Sequence, residues 1–193
     1  MSTASQRLVV GITGASGAIY GLKALELSRA AKVETHLVVS RAALLTLNQE
    51  LGLQKADLDG RADFIHAASD IGATIASGSF QTMGMLIAPC SVKTMSEIAS
   101  GVTSTLLSRA ADVVLKERRR LVLMFRETPL HLGHLQTMVT LTQMGAIMMP
   151  PVPAFYAQPQ SLEEMVTHSV GRALDLFGID TGQVKRWGGM KES

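Results

Sequence analysis

The sequence predicts an α/β protein built on an open, mostly parallel sheet with helices on both faces. Three observations carry that expectation. Short apolar runs rich in β-branched residues alternate along the chain with longer segments of helical periodicity. The first run leaves through a glycine-rich turn straight into a helix: Arg7-Leu-Val-Val-Gly-Ile-Thr-Gly-Ala-Ser-Gly-Ala-Ile-Tyr-Gly21. A central run, Met83-Gly-Met-Leu-Ile-Ala88, is almost unbroken in its apolarity, as a strand covered on both faces must be.

Taken in order, Leu8, Val9, Val10 and Ile12 form the first strand, and Ala18 to Ala30 reads as a helix with Leu22, Leu25 and Leu27 toward its buried side. Between them the turn offers backbone N–H groups and the hydroxyls of Thr13 and Ser16, which suit an anion such as a phosphate. Its glycines, Gly11, Gly14 and Gly17, are spaced more widely than the G-x-G-x-x-G of a dinucleotide site, so a mononucleotide or flavin phosphate fits better. Val33 to Val39 is a second strand, and Ser40 is placed to cap a short helix from Ala42 to Leu51. Gly52 to Arg61 is polar and irregular, a surface excursion. Asp63 to His66 reads as a short edge strand, and Asp70 to Ile75 as a turn or two of helix.

The central strand should stop at Pro89-Cys-Ser-Val-Lys-Thr94, with a helix beginning at Thr94 and running to Ile98. Thr105 to Arg109 starts a further helical stretch that continues to Lys116. Leu121 to Phe125 is another buried strand, and Leu130 to Met144 a helix in which Leu132, Leu135, Met138, Val139 and Thr142 recur at helical spacing. Ala146 to Met149 is a last strand, ended by Pro150, Pro151 and Pro153. Glu163 to Phe177 forms the final helix, with Ser161 as its cap and Trp187 in a short tail after residue 178. With 193 residues and no linker, repeat or low-complexity segment, a single domain is expected.

Composition narrows the function classes. A hydrophobic fraction of 47% argues against disorder and leaves apolar surface for helix faces and subunit contacts. The net charge is only +2, and the one dense basic run, Lys116-Glu-Arg-Arg-Arg120, lacks interleaved aromatics, so nucleic acid is a poor fit. A single cysteine excludes an intrachain disulfide and suits a reducing compartment. The opening residues lack a signal-peptide pattern, and no apolar run reaches the roughly 18 residues a membrane span needs, so a cytoplasmic setting is expected.

In open parallel sheets ligands bind beyond the carboxyl ends of the strands. Thr13 and Ser16, Ser40, Ser91 and Lys93, and Arg126 and Glu127 all fall there. Read on residues alone, Glu50, Lys116 and Arg172 are solvated charges, although Lys116 follows the apolar Val113-Val-Leu115 and Glu50 lies near enough to the strand ends to enter a pocket. Tyr156, behind a proline corner, suits either core packing or a fixed phenol. Cys90 has no activating partner nearby and reads as a small buried apolar group. His131 and His134 share a helix face but lack a third ligand for a metal.

Together the runs Gly11–Gly21, Ser77-Gly-Ser-Phe-Gln-Thr82, Pro89–Thr94, Arg109–Arg118, Arg126-Glu-Thr-Pro-Leu130 and Pro150-Pro-Val-Pro-Ala-Phe-Tyr156 closely resemble the UbiX-type flavin prenyltransferases, within the homo-oligomeric flavin-containing proteins. The resemblance extends from about Arg7 to Trp187. It implies a Rossmann-like three-layer αβα subunit that assembles into a dodecamer with active sites between subunits. It further implies that reduced FMN and dimethylallyl phosphate are joined, through flavin N5 and C6, and that the prenylated FMN passes to a UbiD-type decarboxylase, in many bacteria that of ubiquinone synthesis. The family uses no metal, in keeping with the lack here of the paired Asp-rich motifs of pyrophosphate-using prenyltransferases.

Carried onto this chain, the resemblance implies FMN contacts at Gly14, Ala15, Ser16, Ser40, Ser91, Val92, Lys93, Thr94 and Arg126, with Arg109 nearby. It implies dimethylallyl phosphate contacts at Lys116, Tyr156 and Arg172. Ser16, Glu50 and Glu127 correspond to polar residues that handle the intermediate. Arg120 stands where the family carries proline, which removes no functional group. Two other readings remain. One is an FMN-dependent cysteine-type decarboxylase, which the absence of a histidine before His36 disfavours; the other is a non-catalytic FMN-binding oligomer.

Overall fold

The computed structural model describes residues 6–189. The opening residues 1–5, read above as lacking a leader, and residues 190–193 lie outside that range. Six strands, β1 (Arg7–Ile12), β2 (Glu34–Val39), β3 (Phe64–His66), β4 (Gly84–Cys90), β5 (Arg120–Phe125) and β6 (Ile147–Met148), form one sheet in the order β3-β2-β1-β4-β5-β6. All its pairings are parallel, a stricter arrangement than the mostly parallel one expected. Six α-helices connect and cover it: α1 (Ile19–Ala30), α2 (Arg41–Leu51), α3 (Val92–Ala99), α4 (Leu106–Lys116), α5 (Leu132–Met144) and α6 (Leu162–Asp175).

Strand alternation sends successive side chains into different cores. Leu8, Val10 and Ile12 of β1 and Leu86 and Ala88 of β4 pack with α1, α2 and α6. Val9, Met85 and Ile87 face the other way, onto α3, α4 and α5. Helix layers therefore cover both faces, as the apolar Met83–Ala88 run requires. Three segments differ from expectation. β4 continues through Pro89 to Cys90, with an irregular register against β5 between Ile87 and Cys90 that accommodates the missing proline N–H. The following helix starts at Val92 because Ser91 caps it. Of the helix expected over Asp70–Ile75, only a 3-10 turn at Thr74–Ala76 forms. Among the described residues no helix is long and apolar enough to cross a membrane.

Candidate active site

Strand order reverses at β1, with β2 on one side and β4 on the other, so the segments leaving β1 and β4 diverge and open a crevice. The end of β1 is clamped to the end of β4. Thr13 is fully buried, and its N–H and hydroxyl both donate to the Pro89 carbonyl, at 3.2 and 2.7 Å. The hydroxyl also accepts from Ser91 N–H at 2.8 Å. Thr13 is thus spent on joining strands, and the expectation that its hydroxyl faces an anion is corrected.

Two glycines shape the turn. A Cβ on Gly14 would stand 2.4 Å from the Ala42 Cβ, so only glycine lets α2 approach this closely. Gly17 has φ +98°, a region that strains any side chain. Two N–H groups of this turn are already engaged within the chain. Glu50, at the far end of α2, reaches back so that its carboxylate accepts from Gly17 N–H at 2.9 Å and from Ala18 N–H at 3.0 Å. Placed beside the start of α1, its negative charge also complements the helix dipole. Glu50 is therefore no idle solvated charge, and it takes the donors at the α1 end of the first loop, Gly17 and Ala18.

Open donors also lie at the starts of α2 and α3. Ser40 Oγ accepts from Ala43 N–H at 3.1 Å, and Ser91 Oγ from Thr94 N–H at 3.3 Å. Helix geometry leaves the preceding amides, those of Arg41 and Ala42 and of Val92 and Lys93, without intrahelical carbonyls. Both helix starts border a cleft of about 790 Å³, lined by Gly14, Ser40, Ser91, Lys93 and Thr94 together with the apolar Ala42, Leu45, Ala68 and Leu107. Five of the sequence-predicted site residues thus meet around one cavity. Further residues there escaped the sequence reading, Glu97 and Ser104 among them. Glu97 accepts from Lys93 Nζ at 2.8 Å and from the Ser104 hydroxyl at 2.6 Å. Burial opposes its ionisation, but the bonds from Lys93 and Ser104 prevail and hold the carboxyl below its usual range. The four-residue spacing from Lys93 to Glu97 was visible in the sequence; the approach of Ser104 was not.

Other predicted residues lie elsewhere in the chain. Arg126 donates its N–H to the Cys90 carbonyl at 3.1 Å, and its side chain passes over Gly17, with Cδ 3.5 Å from where a Cβ would stand. Its charge also partly offsets the burial that raises the Tyr20 pKa. Ser16 is exposed at the tip of the same turn, beside the half-buried Ala15. Glu127 is exposed, and its carboxylate accepts from Thr128 N–H at 2.9 Å. Arg109 pairs with Asp112 one turn along α4, at 2.7 Å, and does not line the cleft. Lys116 ends α4 shortly before β5 begins, toward the amino-terminal ends of the strands; it pairs with Glu117 and lies against Gly78. Tyr156 is 42% exposed, which removes core packing as its role, and stands edge-on to His168 and Trp187. Arg172 donates to Asp175 at 2.6 Å. None of these lines the crevice of its own chain.

Cys90 is fully buried, and burial pushes its thiol pKa up, so it is a packed apolar group as expected. His131 caps α5 by accepting from Gly133 N–H at 3.1 Å, and its ring stacks on His134. Among the described residues, no group of three or more His, Cys, Asp or Glu is arranged to hold a metal ion.

Residues 2–174 match the family model described as Flavoprotein, and the chain belongs to that family. The flavin prenyltransferase UbiX of Neisseria meningitidis serogroup B is 55% identical over 187 residues, covering 97% of this chain and 99% of that protein. The crystal structure of AnUbiX (PadA1) in complex with FMN and dimethylallyl pyrophosphate has a TM-score of 0.95 at 48% identity, over 97% of this chain and all (100%) of that one. A dodecameric FMN-dependent UbiX-like decarboxylase from Escherichia coli O157:H7 has a TM-score of 0.92 at 47% identity, over 95% of this chain and 100% of that one. Within the flavoproteins, this chain is a member of the UbiX flavin prenyltransferases.

Proposed function

We propose that this protein is a flavin prenyltransferase that joins the dimethylallyl group of dimethylallyl phosphate to reduced FMN at N5 and C6, and that the product serves a UbiD-type decarboxylase. The observation that carries this reading is the crevice: two helix starts converge on a mostly apolar cleft of about 790 Å³, in a chain whose backbone follows that of a protein crystallised with FMN and a dimethylallyl donor. The cavity fits a flavin nucleotide. The amides at the starts of α2 and α3, with Ser40, Ser91 and Thr94, suit its phosphate and polar ring edge; Gly14 borders the same opening, and Ala15 and Ser16 follow it in the turn. Val92, Lys93, Arg126 and Arg109 complete the proposed FMN contacts. Reduced FMN supplies the nucleophilic ring atoms that accept the prenyl group.

Lys116, Tyr156 and Arg172 are assigned to dimethylallyl phosphate. Because they stand away from the crevice of their own chain, neighbouring copies supply them in this reading, and the protein works as a homo-oligomer, a dodecamer by analogy with the E. coli relative. Cleavage of the allylic C–O bond gathers negative charge on the departing phosphate, where Lys116 and Arg172 stabilise it most as that charge develops. Ser16, Glu50 and Glu127 are the groups assigned to proton handling near the ring. A cytoplasmic setting belongs to the same proposal. Anaerobic incubation with reduced FMN and dimethylallyl phosphate should yield a flavin heavier by one prenyl unit in mass spectrometry. Unchanged FMN would overturn the assignment.

A further inference from the structure

The tail after α6 returns across two of the three side chains assigned to the prenyl donor, Tyr156 and Arg172. Arg186 closes on Asp175 as a two-pronged pair: Nη2 donates to Oδ1 at 2.8 Å and Nη1 to Oδ2. The same Oδ2 accepts from Arg172 Nη1 at 2.6 Å, so one carboxylate is shared by two guanidinium groups. Asp175 is only 12% exposed, which strengthens the pair relative to a fully solvated one. On either side of Arg186 the tail grips the rest of the unit. Lys185 Nζ donates to the Ala157 carbonyl at 3.3 Å, in the turn that carries Tyr156, and Trp187 packs edge-on against Tyr156 with ring centroids 5.7 Å apart. Burial opposes ionisation of Asp175, but the bonds from Arg186 and Arg172 outweigh it and hold the carboxyl low.

We propose that Asp175 and Arg186 are positioning residues for Arg172, and that the tail segment Lys185–Trp187 braces Arg172 and Tyr156 into one phosphate-recognition unit. This rests on the assignment of Arg172 to the donor phosphate. The geometry explains why a second arginine is needed. Asp175 fixes the direction of Arg172 through one amino group and leaves its remaining N–H donors free. Taken alone, that pairing would cancel the charge that a phosphate must feel. Arg186 supplies the missing positive charge and leaves the three-residue cluster at a net +1; the second carboxylate near it, Asp180, stands 3.7 Å off and is 80% exposed, so solvent screens its offset.

Steady-state kinetics with dimethylallyl phosphate, alongside FMN titrations of the same proteins, test the idea. Arg186→Gln should raise KM for dimethylallyl phosphate about tenfold, the scale of one lost charge-assisted hydrogen bond, with a smaller change in kcat and unchanged FMN affinity. Arg186→Lys, which keeps the charge but not the fork, should fall between. Asp175→Asn should also raise KM although it makes the cluster more positive; a lowered KM would mean that only charge matters and would overturn the positioning role. In an Arg172→Ala background, Arg186→Gln should add nothing. If Arg172→Ala raises KM but Arg186→Gln multiplies it by the same factor as in the parent, positioning fails and the Arg172 assignment stands. If Arg172→Ala leaves KM unchanged, that assignment fails and the proposal falls with it.

Discussion

Glu50 joins the far end of α2 to the turn after β1, through N–H bonds of 2.9 Å from Gly17 and 3.0 Å from Ala18. A hydrogen bond to a charged group is worth about 1.5–3 kcal/mol, so Glu50→Ala should lower FMN affinity at least tenfold by releasing the turn. Glu50→Gln, which keeps one acceptor oxygen, should lower it less; flavin fluorescence titration measures both. Turnover at saturating FMN separates this holding role from proton transfer, since general acid–base assistance is worth about 10²–10⁴-fold. A Glu50→Gln protein at parental turnover shifts that role to Glu127. Gly14 makes a complementary prediction. Its missing side chain lets Ala42 sit 2.4 Å from the would-be Cβ, and overpacking of this kind costs about 1–3 kcal/mol. Gly14→Ala should push the start of α2 outward, lower the thermal midpoint and weaken FMN binding further than the stability loss explains.

Alongside the apolar Leu37 and Val38 of β2, the strands β2 and β3 carry a polar chain that begins on β1. Arg7 donates to Glu34 at 2.7 Å, Glu34 meets His36 Nε2 at 3.0 Å, and His36 Nδ1 meets His66 Nε2 at 3.0 Å. Asp63 ties the start of β3 to β2 by accepting from Thr35 N–H at 2.7 Å and from its hydroxyl at 2.9 Å. Burial, and then the charge of the neighbouring His36, push the His66 pKa below its ordinary 6.5. The Thr35 N–H bond, opposed by burial and aided by the Thr35 hydroxyl, holds Asp63 low as well. Both shifts have the same sign. The unfolded chain binds protons more readily at these sites, so their stabilisation is complete above the ordinary pKa values and is lost as pH falls through the folded ones. Hydrogen exchange at the β3 amides should therefore accelerate, after correction for intrinsic rates, as pH drops from 7.5 toward 5, while β1 and β4 stay protected. His66→Gln should flatten that response.

Assembly follows from what the helices leave uncovered. On α5, Leu132 is 67%, Leu135 46% and Val139 56% exposed, and near the proline corner Val152 and Phe155 are more exposed still. Apolar surface of this extent on a helix otherwise packed against the sheet marks a contact with another chain. Leu135→Asp combined with Val139→Asp should reduce the oligomer in sedimentation velocity runs. FMN binding should survive, because Ser40, Ser91 and Thr94 come from one chain. Prenyl transfer should collapse, because Lys116, Tyr156 and Arg172 stand outside that chain's own crevice. Activity retained in the dissociated protein would return the donor site to a single subunit.

Local chemistry was legible in the sequence. Strand and helix periodicities act over a few residues, so the order of strands and helices could be read directly. The caps Ser40, Ser91 and Ser161 each act on an amide three residues on, which made the first and last of them readable as caps. The covering of both sheet faces followed from the unbroken apolarity of Met83 to Ala88. Tertiary structure decided what depends on residues distant along the chain. Nothing near Gly17 announces that Glu50, 33 positions later, takes its N–H. Thr13 looks like a ligand until the Pro89 carbonyl, 76 positions on, arrives beside it. Asp175 gains its meaning from Arg186 folding back 11 residues. Periodicity likewise says which residues of α5 share a face, but only the packing around that helix leaves the face bare. A hydrogen-bonding group goes to whichever partner the fold delivers, and that delivery is a property of the assembled sheet and helices, not of the neighbouring residues.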